Sequence, residues 1–79
     1  MKRRAPAEPM GVALFHSTSL ALRGERIARD AGLTVKLVPT PRHLSSDCGT
    51  ALRLRMADAD ALARLFAEER LECDRIVPL

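Results

Sequence analysis

Residues 10–20 read Met-Gly-Val-Ala-Leu-Phe-His-Ser-Thr-Ser-Leu, and the fold turns on the change of character inside this stretch. Met10 to Phe15 is a short unbroken apolar run, the pattern of a strand buried on both faces. His16-Ser17-Thr18-Ser19 follows, rich in side chains that satisfy the free amides of a helix start. Beyond it Leu20, Ala21, Ile27, Ala28 and Ala31 are the apolar members of a helix, and Gly32 is placed to end it in the left-handed conformation. The spacing therefore predicts a strand over 10–15 and a helix over about 19–31.

Reading outward, Leu33, Val35 and Leu37 alternate with Lys36, the period of a strand with one wet face. Pro39 and Pro41 remove backbone donors and stop it. Thr40 to Gly49 makes a loop of about ten residues, a length more often functional than connective. Thr50 to Met56 alternates again, with Leu52, Leu54 and Met56 on one face and Arg53 and Arg55 on the other. Asp58 is placed to cap a second helix over about 59–70, whose buried stripe is Leu62, Leu65 and Phe66 with Ala59. Cys73 to Val77 reads as a closing strand ended by Pro78.

The succession strand, helix, strand, strand, helix, strand predicts an α+β fold of the ferredoxin-like kind: a four-stranded antiparallel sheet, order 4-1-3-2, with both helices on one face. That order gathers His16, Ser17, Thr18, the Arg42 to Gly49 loop and Cys73 at one edge of the sheet.

Composition narrows the function. The chain of 79 residues is long enough for one small domain, here 10–79, after a flexible basic leader over 1–9. A domain of this size gains stability from pairing, so a homodimer is a further expectation. Lys and Arg exceed Asp and Glu by 13 to 10, but Lys2, Arg3 and Arg4 account for the excess. A neutral remainder with 3% aromatic residues lacks both the phosphate attraction and the stacking platforms of a nucleic-acid binder. No apolar stretch approaches the roughly 18 residues of a membrane span. Pro6, Glu8, Pro9 and His16 interrupt anything like a signal peptide, so the expectation is a cytoplasmic protein whose two cysteines face a reducing compartment.

Cys48 is the leading candidate for chemistry. It stands in Ser45-Ser46-Asp47-Cys48-Gly49, where Gly49 permits close approach and the neighbouring hydroxyls and amides can bond a sulfur anion. The predicted sheet places it opposite the amino-terminal end of the first helix, whose free amides, with Arg42, favour thiolate over thiol; Asp47 opposes them. The plain alternative is a small buried hydrophobe opening a strand. Cys73 is a candidate resolving thiol, although two strands flanking a third place it about 10 Å from Cys48, beyond the roughly 7 Å a disulfide spans. His16 and His43 are candidate acid–base groups or metal ligands, but no zinc spacing occurs and the alternatives are a helix cap and a solvated loop residue. No nucleotide, dinucleotide or hydrolase fingerprint appears, so no cofactor is implied. Arg53 and Arg55 are more simply a wet sheet face than a partner surface.

Taken together, Ser17-Thr18, Ala21-Leu22, Glu25, Gly32, Lys36-Leu37, Pro39-x-Pro41-Arg42, Ser45-Ser46-x-Cys48-Gly49 and Ala51-Leu52-Arg53 resemble the family of putative selenium/sulfur carrier-like proteins. The match runs from about Val12 to Arg53, and Gly24 and His43 depart from it. The resemblance implies that Cys48 receives sulfur or selenium as a persulfide or selenyl sulfide and passes it on. The donor would be a cysteine desulfurase-type protein and the acceptor a second protein; such a chain is a carrier more than a stand-alone enzyme. In that role Arg42 and the loop amides stabilise the anion and Ser45 and Ser46 shape the loop. No role transfers to Cys73, His16 or His43. The residues also admit a non-catalytic interaction or regulatory module in which Cys48 packs, and a thiol redox protein using Cys48 and Cys73.

Overall fold

The computed structural model describes residues 8–44 and 48–79. Their elements are β1 (Met10–Leu14), α1 (Thr18–Asp30), β2 (Val35–Pro39), β3 (Thr50–Arg55), α2 (Ala59–Glu68) and β4 (Arg75–Pro78), with a 3-10 turn over Met56–Asp58. All three strand pairings are antiparallel, β1 with β3, β1 with β4 and β2 with β3. The sheet order is β2-β3-β1-β4, which counted from the other edge is fourth, first, third, second.

The apolar run becomes the centre of the sheet. Val12, Ala13, Leu14 and Phe15 are all fully buried, because strand periodicity sends Ala13 to the helices and Val12 and Leu14 to the opposite face. On the helix side Ala13, Phe15, Leu52 and Leu54 join Ala21 and Ala28 of α1 and Leu62 and Phe66 of α2 in one cluster. On the other side Val12, Leu14 and Ala51 form a second cluster with Val38, Leu44 and Val77 against it. Leu44 belongs to the long loop, so part of that loop folds back over the outer face.

Phe15 and Phe66 meet edge to face, ring centroids 5.7 Å apart, a contact worth about 1 kcal/mol beyond its burial. The ring of Phe15 also explains Gly24 in the middle of α1. A Cβ there would stand 2.8 Å from Phe15 Cζ and 3.3 Å from Leu71 Cδ2, so glycine at this position makes room for the ring.

Both helices end alike. Gly32 has φ 84, and Leu33 N–H and Gly32 N–H donate to Ala28 and Arg29 carbonyls, a Schellman stop as the sequence predicts. Arg70 occupies the same position after α2 with φ 57, and Leu71 N–H donates to the Phe66 carbonyl at 2.8 Å. An arginine there pays the left-handed cost that glycine avoids.

Several details differ from expectation: β1 stops at Leu14, leaving Phe15 outside the strand, and β2 begins at Val35, leaving Leu33 in the connection after α1. Met56 does not continue β3: the chain turns into the 3-10 segment, where Arg55 Nε donates to Asp58 Oδ2 at 3.1 Å. That carboxylate, engaged by Arg55, makes no capping hydrogen bond to α2. Pro39 stays in β2 and pairs with Thr50, which costs no ladder bond because β2 is an edge strand. β4 starts at Arg75 and leaves Cys73 in the preceding coil. The leader over 1–9 falls mostly outside the described residues; within them the Pro9 carbonyl accepts Met56 N–H at 2.9 Å.

Candidate functional site

The strand-to-helix junction after β1 and the start of β3 adjoin because β1 and β3 are paired, Leu14 opposite Ala51. At that junction Ser17 caps α1, its side chain accepting from Leu20 N–H at 3.2 Å. Ser17 rather than His16 is therefore the cap, and its hydroxyl is engaged with the helix. Thr18, the first residue of α1, turns the other way: its Oγ1 lies 3.5 Å from Cys48 Sγ and the two share a hydrogen bond. Thr50 N–H donates to the same sulfur at 3.3 Å. Cys48 Sγ thus sits at the amino-terminal end of α1 among groups that can give it hydrogen bonds, the surroundings a sulfur anion needs.

The loop base fixes this placement. Thr40 N–H donates to the Gly49 carbonyl at 3.0 Å, and Thr40 Oγ1 donates to the Cys48 carbonyl at 2.8 Å. Thr40 thereby holds both peptide groups that follow the sulfur-bearing Cα. Nothing in the sequence pattern singled it out; the proximity of a threonine after Pro39 to the strand facing it was the available signal.

The burial of Cys48 agrees with the plain alternative of a small buried residue just before a strand. The thiol does not stand open to solvent: Cys48 is 4% exposed. It belongs to neither apolar cluster, and its hydrogen-bond partner Thr18 is exposed. The sulfur is buried, with the Thr18 hydroxyl within hydrogen-bond distance of it.

The other candidates separate. Arg42 and His43 are exposed, and Arg42 makes no hydrogen bond or ion pair among the described residues, so the expected guanidinium support of the sulfur is not formed. Gly49 is exposed, with nothing within 4 Å of where its Cβ would stand. Ser45, Ser46 and Asp47 lie outside the described residues. His16 is exposed at the junction. Among the described residues no three His, Cys, Asp or Glu side chains come together as a metal site. No described helix is long and apolar enough to cross a membrane.

Cys73 has different neighbours. Its sulfur faces the Leu14 carbonyl at 3.5 Å and the Arg75 carbonyl at 3.8 Å, beside the Asp74 carboxylate. Burial, reinforced by that carboxylate, pushes the thiol up to about 11. This favours thiol over thiolate and works against a resolving role for Cys73. Both cysteines are free. An apolar hollow of about 480 Å³ opens beside Cys73, walled by Ala59, Ala63, Phe66, Leu71 and Ile76; Cys48 takes no part in it.

The profile of the family described as Putative Se/S carrier protein-like matches residues 10–78. The chain belongs to this family. The match covers the whole of the sheet and both helices, so this Se/S carrier-like chain shares more with the family than the Val12 to Arg53 segment that carries the sequence resemblance. No curated protein and no solved structure matches the chain.

Proposed function

We propose that this protein is a sulfur or selenium carrier in which Cys48 takes one chalcogen atom from a donor and hands it on. One observation carries the reading. The cysteine of the family's Ser-Ser-x-Cys-Gly segment has its sulfur 3.3 Å from a backbone N–H and 3.5 Å from the hydroxyl of the first residue of α1. The Cys48 thiolate attacks the outer sulfur of a donor persulfide, for instance on a cysteine desulfurase-type protein. A sulfur–sulfur bond forms to Cys48, the donor's sulfur–sulfur bond breaks, and the donor leaves as a thiolate. An acceptor nucleophile then takes the outer atom and Cys48 leaves as thiolate, so no external oxidant or reductant enters. Thr50 N–H and Thr18 Oγ1 solvate the sulfur in both steps. Because the sulfur is sheltered, transfer requires the loop base at Thr40 to yield.

The setting belongs to the same reading: a cytoplasmic carrier rather than a stand-alone enzyme, one domain over 10–79 of the ferredoxin-like kind, able to pair as a homodimer. The 4% exposure of Cys48 favours a second reading, a non-catalytic interaction module in which the cysteine packs.

The two readings part on one experiment. Reduced protein is incubated with a cysteine desulfurase and isotopically labelled cysteine and its intact mass is measured. The carrier gains one labelled sulfur that dithiothreitol removes and that Cys48→Ser does not acquire. An unchanged wild-type mass rejects the carrier reading for that donor and leaves the packing role.

A further inference from the structure

The end of the sheet away from Cys48 carries a basic hollow of about 320 Å³, lined by Arg29, Lys36, Arg53 and Arg55 with Met10 and Thr34 and without any acidic side chain. Lys36 and Arg53 are directly opposite each other across β2 and β3, and alternation puts both on the outer face, since Leu37 and Leu52 face the helices. Like charges in that position repel and cost stability. Neither side chain makes a hydrogen bond or an ion pair among the described residues, and both residues are exposed. Arg29 pairs with Glu25 and Arg55 with Asp58, each at 3.1 Å, which leaves two uncompensated positive charges at the hollow.

We propose that this hollow docks a carboxylate-rich segment of a partner protein. A small phosphate ligand is the poorer fit. The helix that reaches the hollow does so with its carboxy-terminal turn, where Arg29 lies, so exposed carbonyls rather than free amides point that way and the dipole repels an anion. A nucleic acid finds no aromatic platform here and only a short row of cations. Exposed cations spread over three elements attract an acidic surface at long range and fix its register. That the partner is the donor or acceptor of the Cys48 sulfur rests on the carrier reading; the docking chemistry does not.

The test titrates the isotope-labelled full chain with an oligoglutamate peptide at low salt and follows backbone amide shifts. Shifts should gather at Thr34 to Lys36 and Arg53 to Arg55, weaken with added salt, and persist when Lys2, Arg3 and Arg4 are replaced by alanine. Lys36→Gln with Arg53→Gln should weaken binding at least about fivefold. Arg53→Glu should abolish binding while raising Tm by about 2–4 °C, because it turns the repulsive cross-strand pair into an attractive one. Shifts confined to the leader, unchanged binding in Arg53→Glu, or the same shifts from inorganic phosphate or a single-stranded oligonucleotide at lower concentration would overturn the proposal. Loading of Cys48 from inorganic polysulfide, measured in parallel, separates the two readings. Intact loading without peptide binding rejects the docking surface alone, and absent loading with intact binding rejects the carrier alone.

Discussion

The two cysteines occupy equivalent places and opposite environments. Each lies just before a strand that pairs with β1, Cys48 before β3 and Cys73 before β4. Cys48 Sγ meets donors, Thr50 N–H and the Thr18 hydroxyl at the start of α1. Cys73 Sγ meets acceptors, two carbonyl oxygens and the Asp74 carboxylate. Cys48 Sγ accepts from a backbone N–H and can accept from a hydroxyl, whereas Cys73 Sγ can only donate to the carbonyls it faces, and the first arrangement suits a nucleophile better. Burial does not distinguish them, since the more buried sulfur, Cys48, is the one among donors. The identity of the neighbours does.

The difference can be attacked first through the largest effect. With its thiol held near 11 against an ordinary 9.0, Cys73 should carry about 100-fold less thiolate at pH 8 than an unshifted cysteine. Its alkylation, followed peptide by peptide, should climb with pH with a midpoint near 11; a midpoint near 9 would break the contrast. The same shift has a consequence for stability. Below pH 9 the thiol is protonated in both folded and unfolded chains, so its contribution is complete. As pH rises from 9 toward 11 the unfolded chain loses the proton first, and stability falls. Cys73→Ala should flatten that alkaline limb of Tm against pH, and an equally steep limb in the variant would assign it to other groups.

A smaller effect lies at the loop base. Thr40→Val removes the hydroxyl that holds the Cys48 carbonyl at a cost of about 1 kcal/mol. Cys48 should then react several-fold faster with a bulky disulfide reagent, with no change at Cys73. A slower Cys48 in this variant would show that Thr40 does not keep the sulfur sheltered. Thr18→Val sharpens the donor side: losing one neutral hydrogen bond to the sulfur should slow alkylation of Cys48 by about fivefold, and an unaltered rate would leave Thr50 N–H as the sole supporting group. The smallest change is expected from Asp74→Asn. Burial, the larger cause of the Cys73 shift, remains after the carboxylate is gone, so its alkylation profile should move only part of the way toward 9.

How much of this was legible in the sequence depends on the range of the interaction concerned. The run through Val12 to Phe15, the alternation of Val35 with Lys36 and of Leu52 and Leu54 with Arg53, and the Gly32 stop are local patterns, and the structure follows them. Met56 keeps the parity of β3 yet leaves it, because the Arg55–Asp58 pair closes a turn that periodicity does not register. Arg70 ends α2 with a positive φ and no glycine to announce it. Gly24 reads as a flaw in a helix until Phe15 is seen against it. At the site, the meeting of Cys48 with the start of α1 follows from the pairing of β1 with β3. The hydrogen bonds that Thr18 and Thr40 make to Cys48 do not, since these residues stand 30 and 8 positions away in the chain. Arg42 illustrates the converse: its closeness in sequence implied support for the sulfur that its exposed side chain does not give.

The central claim, that the sulfur among donors is the one that works, is tested most directly by locating the transferred atom. Wild-type protein with both cysteines present is loaded from a labelled persulfide donor, alkylated and digested, and the peptides carrying Cys48 and Cys73 are weighed separately. The label is expected on the Cys48 peptide, with the Cys73 peptide unmodified at pH 7; label on Cys73, or shared equally between the two, would mean that the donor-rich setting of Cys48 does not select the working thiol.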